Sequence, residues 1–227
     1  MNPSPTSQAR NSIVDNLKDK LYSAALTWHE KCLITAPFII KKEGEKYVKR
    51  PLIAKGQLEH WLNNGQSSKD VESLDWDKAN AVGIFLSKTN DGLYLTCIDL
   101  DMKEADWRPL LRFLPITRLE RTPRDGLHAL YFSETRPKPL SIKIPDKGGV
   151  ELLFNKWCLI HPSEGYRKLN DNDIRIVEDA YILFMNFLYD AGLDNFIKKD
   201  DVEDNEKEPG DVLAKYLEKV EEYFSKL

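Results

Sequence analysis

Hydrophobic positions along the chain change their spacing twice. Between about Ser12 and Cys32 the residues Ile13, Leu17, Leu21, Ala24, Ala25 and Trp28 recur every three or four positions, which predicts an amphipathic helix. A Lys-rich stretch, KKEGEKYVKRP, reads as a loop, and QLEHWLNN as a short helix. From Ala79 to Pro162 the pattern shortens to β-prone runs, AVGIFLS, LYLTCIDLD, HALYF, VELLF and WCLIHP, separated by Gly, Pro, Asn and Asp. ADWRPLLRFLP, between the second and third runs, is long enough for one helix. Helical spacing returns from about Asp173 to Asp190, with Ile174, Val177, Tyr181, Phe184, Phe187 and Leu188 on one face.

Helix, strands around one helix, then helix is the order of an α+β fold with a mixed or antiparallel sheet. Residues 1–11, rich in Pro, Ser and Asn, are expected to be disordered. Residues 12–192 make one globular domain, and 193–210, containing KKDDVEDNEKEPG, an acidic linker. In 211–227 the spacing of Leu213, Tyr216, Leu217, Val220, Phe224 and Leu227 predicts a C-terminal amphipathic helix, whose apolar face docks on this chain or on another protein.

Charge adds one correction to this outline. The formal net charge of −4 suits a nucleic-acid partner poorly until it is divided: from Lys199 onward there are ten acidic and five basic residues, which leaves the main domain at about +1. A nucleic-acid partner is therefore neither excluded nor demanded. The cysteines Cys32, Cys97 and Cys158 form no CxxC pair, so a structural zinc site or disulfide framework is not expected. No apolar run is long enough to cross a bilayer and the start lacks the layout of a secretion signal, so the chain reads as soluble, cytoplasmic and without a membrane partner.

Four short segments carry candidate chemistry. In LYLTCIDLD, Asp99 and Asp101 project from one face of a strand, about 7 Å apart at Cα, and two such carboxylates call for a cation between them; the plainer reading is a strand entering a turn. In RTPRDGLHALYF, His128 opens a strand after a turn flanked by Arg121 and Arg124, which are either phosphate contacts or ordinary solvated charges. In KGGVELLF, Glu151 is the one charge in an apolar strand, with Asp146 in reserve for the same role; it is a site residue or, on an outward face, merely solvated. In WCLIHPSEGYR, His161 ends a strand and either bonds a nucleotide or stabilises the turn.

Taken in this order, the segments resemble the archaeo-eukaryotic primase superfamily, and within it the bifunctional primase-polymerase domain of plasmid and viral replication proteins. The likeness rests on Asp99-x-Asp101, on Gly126-Leu127-His128 and on Val150-Glu151. NAVGIFLS and KRPLIAKGQLEHW, which contains Lys49 and Arg50, extend it over about residues 49–167. The sequence departs from that pattern at Arg124 and Asp125, where small residues are usual. It departs again at 157–160, where WCLI replaces Pro-Pro-Ser.

The resemblance implies an RRM-like catalytic core with its sheet flanked by helices. It implies a DNA primase/DNA polymerase, a template-directed nucleotidyltransferase with two Mg²⁺ or Mn²⁺ ions held by Asp99, Asp101 and Glu151. His128 would bind the incoming nucleotide, with Arg121, His161, Lys49 and Arg50 as further nucleotide or template contacts. The partners implied are single-stranded DNA template and dNTP or NTP. With no GxxxxGK[ST] loop in this sequence, any helicase would be a separate chain, reached through the C-terminal helix. Two rival readings stand beside it: a noncatalytic nucleic-acid-binding replication-initiation protein on the same scaffold, and a metal-dependent nuclease, against which the lack of an obvious Lys beside the acids counts.

Overall fold

The computed structural model describes residues 7–31, 33–44 and 46–197. Of the linker expected at 193–210, the described part is no solvated linker: a 3₁₀ turn at Asp194–Phe196 packs Leu193, Phe196 and Ile197 against the larger core, because these apolar side chains precede the charge run. Residues 198–210 and the expected C-terminal helix lie outside the described residues. The fold is α+β, built on two sheets rather than one.

Helix α1 spans Ser7–His29, beginning five residues before the position the hydrophobic spacing marks. The Lys-rich stretch expected as a loop is instead half of a β-hairpin, β1 (Thr35–Glu43) and β2 (Lys46–Pro51). Between them Gly44 takes a φ of 64°, a turn conformation that costs glycine little. The period-2 pattern there is masked because the outer end of the hairpin is exposed on both faces and can be charged throughout. After α2 (Gln57–Asn64) and α3 (Ser68–Glu72), the strand β3 (Ala81–Phe85) runs between β1 and β9 (Trp157–Ile160), and all five of its residues are buried. Order in this first sheet is β2-β1-β3-β9, antiparallel throughout.

The second sheet holds the order β10-β5-β6-β4-β8-β7. Its centre is β4 (Tyr94–Asp101), followed by the short helix α4 (Glu104–Trp107). The expected single helix over ADWRPLLRFLP stops at Trp107, and a 3₁₀ segment covers Arg108–Phe113, because Pro109 has no amide to continue the α ladder. Then come β5 (Leu119–Arg121), β6 (Leu127–Ser133), β7 (Leu140–Ile144), β8 (Gly148–Leu153), and, after β9, β10 (Arg167–Lys168). A last strand, β11 (Arg175–Val177), lies parallel to β6, so the sheet is mixed through that one pairing.

Helix α5 covers Ala180–Asp190, seven residues shorter at its start than the spacing suggests. Ile174 and Val177 belong to the segment around β11, and the Asp179 carboxylate starts the helix by accepting hydrogen bonds from the Tyr181 and Ile182 amides at 2.8 and 3.0 Å. Ala180, Phe184, Phe187 and Leu188 press onto one face of the second sheet, where Ile98, Leu100, Ala129, Tyr131, Ile142 and Val150 form the larger core. Each Val, Leu, Ile or Phe side chain among them contributes roughly 1.5–3 kcal/mol by leaving water. On the opposite face Leu95, Cys97 and Leu130 pack with Val82, Ile84, Cys158 and Ile160 of the first sheet and with Leu21, Ala25 and Trp28 of α1. Towards the C-terminal end of β4 this second face changes from apolar to charged.

Candidate active site

Antiparallel pairing aligns the candidate residues in one row. Asp99 of β4 stands directly opposite His128 of β6 on one side and Glu151 of β8 on the other. The row continues to Glu120 on β5 and Ser141 on β7. Residues directly opposite in a ladder share a face and place their Cβ atoms about 4.5–5.5 Å apart. Asp101, two residues along β4, shares that face too. The structure thus brings Asp99, Asp101, Glu151 and His128 together from three strands.

The end of β4 is held by a glycine. Gly148 has a φ of 125°, and a Cβ there would lie 2.0 Å from the Asp101 carbonyl oxygen, so this residue alone lets the β7–β8 turn close against the strand. On the other side the turn from Thr122 to Gly126 is pinned by Trp107, whose indole donates to the Asp125 carbonyl at 2.6 Å. The turn presents Arg124, whose guanidinium meets the Asp101 carboxylate at 2.6 Å.

Asp99, Asp101 and His128 line a cleft of about 370 Å³ whose other wall is Ile40, Tyr47 and Lys49 of the hairpin, with Thr122, Pro123 and Arg124 at its rim. Lys49 lies 5.8 Å from the Tyr166 ring and acts on Asp99 electrostatically. Arg50 alternates to the opposite face of β2 from Lys49 and does not line the cleft. An adjoining cleft of about 560 Å³ shares Ile40, Tyr47, Thr122 and Pro123 and adds Lys42, Arg121 and Arg167. Arg121 sits there, paired with Glu104 at 3.0 Å and Asp125 at 2.8 Å, while its Nε is buried without a partner. Glu151 stands beside the cleft, accepting from the Ser141 hydroxyl at 3.0 Å and lying 3.8 Å from Lys156. His161 is exposed and outside the cleft; its backbone amide donates to Glu120 at 2.7 Å. Asp146 occupies a positive-φ position in the β7–β8 turn and is exposed.

Burial pushes the Asp99 carboxyl above its ordinary range; Asp101 and Glu151 push the same way, while His128 and Lys49 oppose them. Such a carboxylate gains from any further cation. The donor set is three carboxylates on one face, oxygen ligands of the hard type, but among the described residues the group whose ligand atoms all lie within 4.8 Å of one another is Cys97, His128 and Cys158.

Behind this row lie groups that the linear sequence hides. His128 is 4% exposed; its Nε2 faces Asp99 at 3.7 Å and its Nδ1 faces the Cys158 sulfur at 3.4 Å. Burial by itself would lower the imidazole pKa, but the negative charge of Cys158 and Asp99 outweighs it and holds it at about 9. Cys158 is lowered to about 5 because the Cys97 thiol donates to it and, against burial, the imidazolium adds to the effect. Cys97 itself is pushed up by burial. Glu120, fully buried, accepts from Arg118 at 2.8 and 2.6 Å. Cys97 and Cys158 are 61 positions apart, so no spacing motif signals them; the alternation that puts Cys97 on the Asp99 face is the one trace in the sequence.

No protein-family model matches this chain, and no curated protein is similar to it.

Proposed function

We propose that the chain is a primase-polymerase catalytic domain, a metal-dependent nucleotidyltransferase that joins nucleotides on a single-stranded DNA template. The observation that carries this reading is Asp99, Asp101 and His128 together in a cleft walled by lysine and arginine, with Glu151 opposite Asp99 in the sheet and beside that cleft. The resemblance of the motifs around these residues to the archaeo-eukaryotic primases supports it, including an RRM-like core for the second sheet.

In this reading Asp99, Asp101 and Glu151 hold Mg²⁺ or Mn²⁺. Such ions supply Lewis acidity towards a primer 3′-hydroxyl and neutralise a triphosphate. The protein's own share is placement. The three carboxylates fix the reacting groups on a rigid sheet, so little motion is lost when substrate arrives. His128, donating through Nε2, holds a phosphate oxygen of the incoming dNTP or NTP. Lys49 and Arg124 face the same space and balance the triphosphate's charge, Arg124 by exchanging its Asp101 partner for phosphate. The adjoining cleft, with Lys42, Arg121 and Arg167, suits the template backbone, a contact by charge that reads no sequence.

The test is extension of a labelled primer, and synthesis without primer, on single-stranded DNA with Mn²⁺ or Mg²⁺. dNTPs and NTPs are compared in the wild type and in Asp101→Asn. Product that needs metal and disappears in the variant sustains the reading. Well-folded wild type that binds single-stranded DNA but makes no product would replace it with a noncatalytic binding protein.

A further inference from the structure

We propose that Cys97, Cys158 and Nδ1 of His128 form a second metal site, for one tightly held Zn²⁺, directly behind the carboxylate row. Their ligand atoms all lie within 4.8 Å of one another, and all three residues are buried. Tetrahedral zinc with Zn–S of about 2.3 Å and Zn–N of about 2.0 Å puts a sulfur and a nitrogen about 3.5 Å apart. The Cys158 sulfur and His128 Nδ1 are 3.4 Å apart. Two thiolates and an imidazole are the soft donors that select zinc over Mg²⁺ or Mn²⁺, so the two sites would not compete for the same ion.

The imidazole is oriented as a ligand. With Nδ1 turned to the sulfurs, Nε2 faces Asp99 at 3.7 Å, the carboxylate–histidine–metal order in which an acid fixes the ring and raises its basicity. Near the cluster the Tyr166 hydroxyl is buried with no hydrogen-bond partner. Its ring lies 5.8 Å from that of His128, and Cys158 is its strongest charged neighbour. An orphaned buried hydroxyl normally has a reason; a fourth, non-protein ligand on the ion would supply its missing partner. The three residues come from β4, β6 and β9, so the ion would tie the first sheet to the second immediately beneath the cleft. This inference does not rest on nucleotidyl transfer. A zinc-bound His128 keeps its Nε2–H for the cleft, so the two readings are compatible and separately testable.

The full chain, purified under reducing conditions without added metal, should carry about one zinc by elemental analysis, resistant to EDTA and released by a mercurial. Cobalt exchanged into the site should show sulfur-to-metal charge-transfer bands in the near ultraviolet. Cys97→Ser and Cys158→Ser should each lower zinc content at least tenfold, whereas Cys32→Ser should not. Because both cysteines are in the core, Asp99→Asn serves as a second variant: it leaves the three ligands in place and should weaken zinc binding about 10- to 100-fold in a chelator competition. Reduced, folded wild type with less than a tenth of an equivalent of zinc and no cobalt bands would overturn the site. So would a Cys97–Cys158 disulfide in the freshly isolated protein, seen as a loss of two hydrogens by mass.

Discussion

The two faces of β4 are built from alternate residues of one octapeptide, yet they do opposite work. Ile98 and Leu100 point into the core under α5 and are wholly buried. Cys97, Asp99 and Asp101 point the other way, and along that face burial falls from Cys97 outwards to the exposed Asp101. The apolar face rewards any well-packed hydrophobic side chain, whereas the charged face puts like charges side by side and raises the Asp99 pKa. A strand that keeps such a face at its centre is holding stability in reserve for a ligand, since the repulsion is relieved only by added positive charge.

Substitutions on the two faces should therefore separate stability from function. Asp101→Asn should cut metal-dependent synthesis by roughly a thousandfold, the loss of a metal-bound carboxylate, while thermal unfolding stays where it was. A primer-extension assay beside a melting curve checks both halves. Phe184→Ala on α5 should do the reverse. It removes a fully buried ring and should cost about 3–5 kcal/mol, lowering Tm by about 10 °C; below the transition, metal-induced stabilisation should be retained.

In protein stripped of all metal, zinc included, Asp99→Asn should raise Tm near neutral pH, because a group whose pKa is raised on folding is costly to keep ionised in the native state. The sign follows from linkage. Below the unfolded carboxyl's pKa both states are protonated and the advantage vanishes; it grows as pH rises through the raised native value. Mn²⁺ should stabilise the wild type and not this variant, and differential scanning fluorimetry across pH reads both effects. An Asn that lowers Tm at neutral pH would mean that the His128 contact outweighs burial.

Smallest is Arg124→Ala. The pair with Asp101 is about half exposed on both sides and worth at most about 1 kcal/mol, so stability should barely move. Freed of its cation, Asp101 should bind Mn²⁺ about threefold more tightly in a calorimetric titration.

The charged face was legible in the sequence for a physical reason: period-2 alternation in LYLTCIDLD puts both aspartates on one side whatever the rest of the fold does. The matching of Asp99 to His128 and Glu151 was not legible, because register between distant strands is set by turns and by side-chain packing that one strand does not contain. The division into two sheets was hidden for a similar reason. β3 and β9 look like other apolar runs, and β1–β2 disguises itself with lysines where both its faces meet water. Helix α5 was overextended because Ile174 and Val177 fit a helical face, yet the Asp179 cap and the pairing of β11 to β6 end the helix earlier. The family likeness points to Arg50 and His161 as nucleotide or template contacts, but Arg50 alternates to the face of β2 opposite Lys49 and His161 is exposed, and neither lines the cleft.

Gly148, packed against the Asp101 carbonyl, has a consequence for how the protein can change over time. Asp146 in the β7–β8 turn can be exchanged for another residue that tolerates a positive φ, but Gly148 admits no side chain, so it marks the point where the outer hairpin and the strand bearing the aspartates must vary together or not at all. A Gly148→Ala chain would have to pull the hairpin outward, and Glu151, three residues further on, would be carried with it. The spacing between the carboxylates is thus calibrated by a missing methyl group.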